Sequence, residues 1–202
     1  MMRRLGLAAW VGGAFCAALA VGLVVIASLG TGWRGVTFAT ESVARVAFIF
    51  FWLAYTGGAF AALFGPRFEG LARHRREFGL AFAAALLVHL AFVAWLFHIS
   101  YRPPVSDAVI FYFSIGALWA YALAICSVKR VRGLMGSTAW RMFSSAGLEY
   151  IAFLFFRDFV VLPLQYGTGH PLYYAPFSIL SVVGPALRWL SMVLGRFQRS
   201  HA

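Results

Sequence analysis

Apolar residues come in six long blocks along this chain, separated by short polar stretches. The blocks cover residues 5–29, 42–64, 78–99, 105–128, 139–162 and 173–194. Each reaches the roughly 20 residues that a helix needs to cross the hydrocarbon layer of a bilayer. The connections carry turn formers: Gly30-Thr31-Gly32, Gly65-Pro66, Pro103-Pro104, Gly133 to Ser137 and Gly167 to Pro171. The pattern predicts an all-α integral membrane protein, a bundle of six transmembrane helices forming a single domain over residues 1–202.

Composition agrees with that pattern. Hydrophobic residues make up 62% of the chain and charged residues 11%, with a mean hydropathy of +0.83. A soluble domain of this size has too little interior to hide so much apolar surface. The opening Met1-Met2-Arg3-Arg4 followed by an apolar run looks like a signal peptide. The run is too long for one and further blocks follow, so it reads as the first transmembrane helix.

Charge then sets the orientation. The net charge of +11 comes from 17 basic and 6 acidic residues. The basic residues lie mostly in the short loops, which points to membrane topology and not to nucleic acid. With both termini cytoplasmic, the inner segments hold Arg3, Arg4, Arg67, Arg73, Arg75, Arg76, Lys129, Arg130, Arg132, Arg141, Arg196 and Arg199. The outer ones hold Arg34, Arg45, Arg102 and Arg157, and Arg188 falls inside the sixth block. Twelve inner against four outer residues predicts cytoplasmic termini. The expected surroundings are the lipid bilayer.

Small residues crowd the first block (Gly12, Gly13, Ala14, Ala17, Ala18, Ala20, Gly22) and the third (Ala81, Ala83, Ala84, Ala85). They let helix backbones approach where no hydrophobic drive exists between helices. Cys16 and Cys126 fall inside apolar blocks with no CxxC and no Cys/His cluster, so they read as buried small hydrophobes and not as zinc ligands or a disulfide.

A few residues could carry chemistry. His89 lies about 11 residues into the third block, roughly 16 Å deep at 1.5 Å per residue. A titratable ring there serves metal ligation, proton relay or a packing hydrogen bond. Arg75 precedes it by 14 residues, close to four helical turns, so the two share one face at two depths. Arg75 also reads as an interfacial topology anchor. In the fifth block, Glu149 sits about 10 residues in, with Arg157 and Asp158 near the outer end. A carboxylate at that depth is paired, protonated or in a water-filled cavity, so Glu149 and Asp158 are candidates for a proton relay or a buried charge pair.

The stretch Arg75-Arg76-Glu77-Phe78-Gly79-Leu80 followed by His89 resembles the third helix of the ferric reductase-like transmembrane family. The nearest likeness is to the haem-binding membrane subunit of the bacterial periplasmic methionine sulfoxide reductase system, with its Arg-Arg-x-Leu-Gly-Leu opening before a haem-ligand histidine. The basic loop from Ser127 to Trp140 and the Trp140-Arg141 pair at the start of the fifth block extend the resemblance over about residues 43–161. It implies a bacterial inner membrane protein that carries haem b between its third and fifth helices. His89 would be the iron ligand, Arg75, Arg76 and Arg157 would contact cofactor, and electrons would pass from a quinol to an extracytoplasmic acceptor. A separate redox partner protein is then implied.

The fifth block departs from the family. Where the family has histidines, four residues after the tryptophan and thirteen further on, this chain has Ser144 and Arg157. Neither ligates haem iron, so bis-histidine ligation is absent and a five-coordinate haem or a haem-free relative stays open. The haem-free form would act as a membrane scaffold or partner subunit, or bind a small lipid or quinone. A transporter or proton-linked channel using Glu149, Arg157 and Asp158 is a third reading. No Ser/His/Asp arrangement, Walker loop or dinucleotide fingerprint is present, so any catalysis belongs to a cofactor or a partner.

Overall fold

A computed structural model describes the backbone of residues 2–101, 103–166 and 171–200. Arg102, residues 167–170 with His170, and His201 lie outside the described residues, as do the side chains of residues 2–5, 129–130, 166, 171–172 and 195–200. The described chain is all-α, with no strand. The elements are α1 (Met2–Leu29), α2 (Trp33–Phe64), a 3-10 turn (Pro66–Phe68), α3 (Glu69–Arg73), α4 (Arg75–Ile99), α5 (Asp107–Cys126), α6 (Lys129–Met135), α7 (Ser137–Phe156), a π-helical turn (Arg157–Val161), α8 (Leu162–Tyr166) and α9 (Pro171–Ser200).

Among the described residues, five helices are long and apolar enough to cross a membrane: Gly6–Leu29, Trp33–Phe64, Arg75–Ile99, Asp107–Cys126 and Tyr173–Leu194. They match five of the six expected blocks. The other block is α7 and its continuation, where Arg141, Ser144, Ser145 and Glu149 dilute the apolar run. The second helix begins at Trp33, nine residues before the apolar block at 42. Its first turns hold polar groups locally: Thr37 and Thr40 donate to carbonyls four residues back, and Arg45 pairs with Glu41 at 3.5 Å. At 32 residues α2 is about 48 Å long, well beyond a 30 Å hydrocarbon layer.

The residues divide between two compact units. The first comprises Met1–Phe51 and Glu77–Ile125. Here helices meet through small and apolar side chains. Ala14, Ala18 and Gly22 are buried one turn apart along α1. A Cβ at Gly22 would stand 2.5 Å from the Phe92 ring of α4 and 3.1 Å from Val43 of α2, so only glycine admits that close approach. Trp10 meets Phe78 edge-on at 5.1 Å, and Phe51 meets Phe82 at 5.3 Å. Cys16, expected in the interior, is exposed because it lies two residues off the buried stripe.

The second unit comprises Trp52–Arg76 and Cys126–Ala202. The Trp52 indole donates to the Leu180 carbonyl of α9 at 2.9 Å, lying against Gly184, where a Cβ would be 3.0 Å from Nε1. Thr56, one turn further along α2, is fully buried. Phe60, Phe64 and Phe68 cluster where α2 turns into the 3-10 segment. Gly136 joins α6 to α7 with φ of 70°, a left-handed conformation that favours glycine.

The π-turn has a local cause. Pro163 lacks an N–H, and its ring crowds the carbonyl four residues back, that of Phe159. The helix widens there, and the Leu162 N–H reaches back to Arg157. The Ser178 hydroxyl of α9 donates to the Phe159 carbonyl at 2.6 Å, while the Phe159 ring stacks on Phe155 and Phe177.

Candidate functional site

The candidate residues fall in both units. His89 belongs to the first; Arg75, Arg76, Glu149, Arg157 and Asp158 belong to the second.

The densest polar arrangement in the second unit centres on Glu149. One carboxylate oxygen, Oε1, lies 3.0 Å from Nε of Arg188, and the other accepts the Tyr55 hydroxyl at 2.7 Å. The Arg188 guanidinium also donates to Ser145 Oγ at 3.2 Å and lies 4.7 Å above the Tyr55 ring. Ser145 and Glu149 are four residues apart, one turn of α7, so a single helix face presents both to Arg188. Tyr55 is buried, which makes its hydroxyl dependent on the carboxylate. A carboxylate held this way by α2 and α9 fastens three helices together.

Arg75 stands beside this cluster. Its Nε donates to the Ala54 carbonyl of α2 at 3.0 Å, next to Tyr55. A Cβ at Gly58 would be 2.8 Å from Arg75 Nη1, and one at Gly57 would be 2.8 Å from the Leu71 carbonyl oxygen. The Gly57-Gly58 pair therefore makes the seat in which Arg75 and α3 rest on α2. Arg75 and Arg188 are near enough for their charges to repel. With one acid between them, the group carries an excess positive charge. Arg76, the next residue, is exposed. Arg157 and Asp158 open the π-turn, both half-buried.

In the first unit, His89 Nδ1 lies 3.1 Å from the Thr40 carbonyl of α2. A carbonyl only accepts, so this contact assigns the proton to Nδ1 and the lone pair to Nε2. One turn along α2, Arg45 is buried beside its partner Glu41.

Arg75 and His89 each meet an α2 carbonyl within their own unit. The two are 14 residues apart on α4, and their acceptors, Ala54 and Thr40, are 14 residues apart on α2. Arg188, the partner of Glu149, carries a role that sequence reasoning missed. A lone cation in an apolar block is itself a signal that an acid faces it. Tyr55, Ser145 and the Gly57-Gly58 seat gave no such signal.

Comparison with protein-family models, with curated proteins and with solved structures finds no match to this chain. Among the described residues, no three His, Cys, Asp or Glu side chains gather as a metal site. For haem, His89 offers one suitable nitrogen. Ser144 instead donates to the Arg141 carbonyl at 3.3 Å, and Arg157 stands in the π-turn. These residues fit a ligand on one side of a haem and not a bis-histidine site.

Proposed function

We propose that the chain is a haem-free membrane scaffold or partner subunit built on a ferric reductase-like bundle of the bacterial inner membrane. The five apolar helices support the membrane setting. The continuous stretch of α7, the π-turn and α8 is read as the sixth crossing. The twelve inner against four outer basic residues support cytoplasmic termini.

The observation that carries the haem-free reading is the want of a second iron ligand: Ser144 donates to the Arg141 carbonyl and Arg157 stands in the π-turn. Arg75 and His89, which the resembling family would give to a cofactor, both hold α2 carbonyls. The acid of α7 is likewise tied to Arg188 and Tyr55. Such polar contacts act as glue between membrane helices. Purified full-length protein in detergent is expected to lack a Soret band, with or without added haemin. His89→Ala is expected to keep its helical circular dichroism and to lose about 1 kcal/mol of stability. A Soret band in the wild type that disappears in His89→Ala sinks this reading.

One observation favours a second reading, haem b-dependent electron transfer from a quinol near Arg75 and Arg76 to an extracytoplasmic acceptor with a separate redox partner. With Nδ1–H donated to Thr40, His89 has the tautomer and the backbone anchor that metal-bound histidines have. Haem would supply one-electron chemistry, held by His89 alone. The same spectrum separates the two readings.

A further inference from the structure

The α6–α7 corner holds a pocket of about 340 Å³ lined by Arg132, Ser137, Trp140, Arg141 and Ser144. That volume is at the small end of ligand sites. On α7, positions 137, 140, 141 and 144 follow the i, i+3, i+4, i+7 spacing of one helix face. Arg132 reaches the same space from α6, past the bend at Gly136. Residues 127–148 contain four basic residues and no acidic one. Among the described residues, no carboxylate pairs with Arg132 or Arg141.

The arrangement is more specific than a basic loop. The Arg132 guanidinium lies 5.5 Å from the Trp140 ring centroid. Stacking on a ring orients the guanidinium while leaving its N–H donors in plane and available. Arg141 lines the pocket one residue further round α7, with Ser137 one turn before it and Ser144 one turn after. The positive end of the 20-residue α7 lies at the same place and adds to the field. Two arginines and the Ser137 hydroxyl lining one small pocket suit an anion with several oxygens. Trp140 is the ring type that sits at headgroup level in membrane proteins.

We propose that this pocket binds a phosphate ester, with Arg132 and Arg141 on the phosphate oxygens, Ser137 donating to them, and Ser144 lining the wall while its hydroxyl holds the Arg141 carbonyl. The phosphate belongs either to the headgroup of an anionic phospholipid or to a soluble phosphate monoester. The site is formed by the second unit alone and stands whether or not haem is bound at His89.

The test uses the full chain in two arms. In the lipid arm, nanodiscs of phosphatidylcholine with one fifth phosphatidylglycerol are compared by native mass spectrometry of retained lipid. In the soluble arm, glycerol 3-phosphate is titrated against the detergent-solubilised protein by calorimetry. The variant is Arg132→Gln with Arg141→Gln; the charge-matched control is Arg67→Gln with Arg73→Gln. Preferential retention of phosphatidylglycerol, reduced at least tenfold in the variant but not in the control, supports the site with a lipid occupant. Binding of glycerol 3-phosphate without lipid preference, lost in the same variant, supports it with a soluble occupant. Retention unchanged in the variant, equally reduced in both pairs, or absent in both arms overturns it. If the double variant does not fold, Arg132→Gln and Arg141→Gln are read singly, each expected to weaken binding at least threefold, and unchanged binding in both overturns the proposal.

Discussion

In the first unit, α1, α2 and α4 touch through Ala14, Ala18, Gly22, Val43 and Phe92, with His89 supplying one polar contact. In the second, α2, α7 and α9 are held by Tyr55, Glu149, Ser145 and Arg188, with an orphaned-carbonyl contact at the π-turn. Both kinds of contact replace the hydrophobic drive that lipid removes between helices. They fail differently. Close packing fails by steric overlap and ignores charge; a polar cluster fails when one member is removed and the rest are left desolvated.

Substitutions can break that contrast. The largest effect is expected at Gly22→Leu, where the new side chain overlaps Phe92 and Val43; a loss of about 3 kcal/mol should appear as lowered thermal stability in detergent. Next is Arg188→Ala, which leaves Glu149 with Tyr55 alone. Because the Glu149 side chain is 35% exposed, the loss is expected to fall between a surface and a buried pair, at about 2 kcal/mol. Arg188→Gln and Glu149→Gln together should lose less than the sum of the two, and additivity in a double-mutant cycle would show that the pair is not coupled. Ser178→Ala removes the donor to the Phe159 carbonyl and should lower stability by about 1 kcal/mol, with faster amide exchange around residue 164 as the local readout. The smallest effect is expected at Gly13→Ala. A Cβ there meets nothing, so the change should stabilise α1 by about 0.5 kcal/mol, opposite in sign to Gly22.

Much of the fold was legible from apolar block length, because the hydrocarbon layer imposes one length on every crossing helix. Five blocks correspond to such helices. The block at 139–162 was read as equal to the others, yet Arg141, Ser144, Ser145 and Glu149 give α7 a polar face, and Pro163 widens its far end. The site was legible in part. His89, Arg75 and Glu149 were conspicuous as polar groups in apolar blocks, and each has a polar contact in the structure. Their partners were not. The acceptors Thr40 and Ala54 contribute backbone carbonyls, which every residue has and no sequence pattern marks.

By itself, the amino-acid sequence determined helix content, the membrane setting and which side chains needed partners, because these follow from the free energy of each residue in apolar surroundings. Only the tertiary structure decided which partners they found. Arg188 meeting Glu149, His89 donating to Thr40, and two arginines opening on one pocket depend on helix rotation and register, and those are chosen by packing many residues at once.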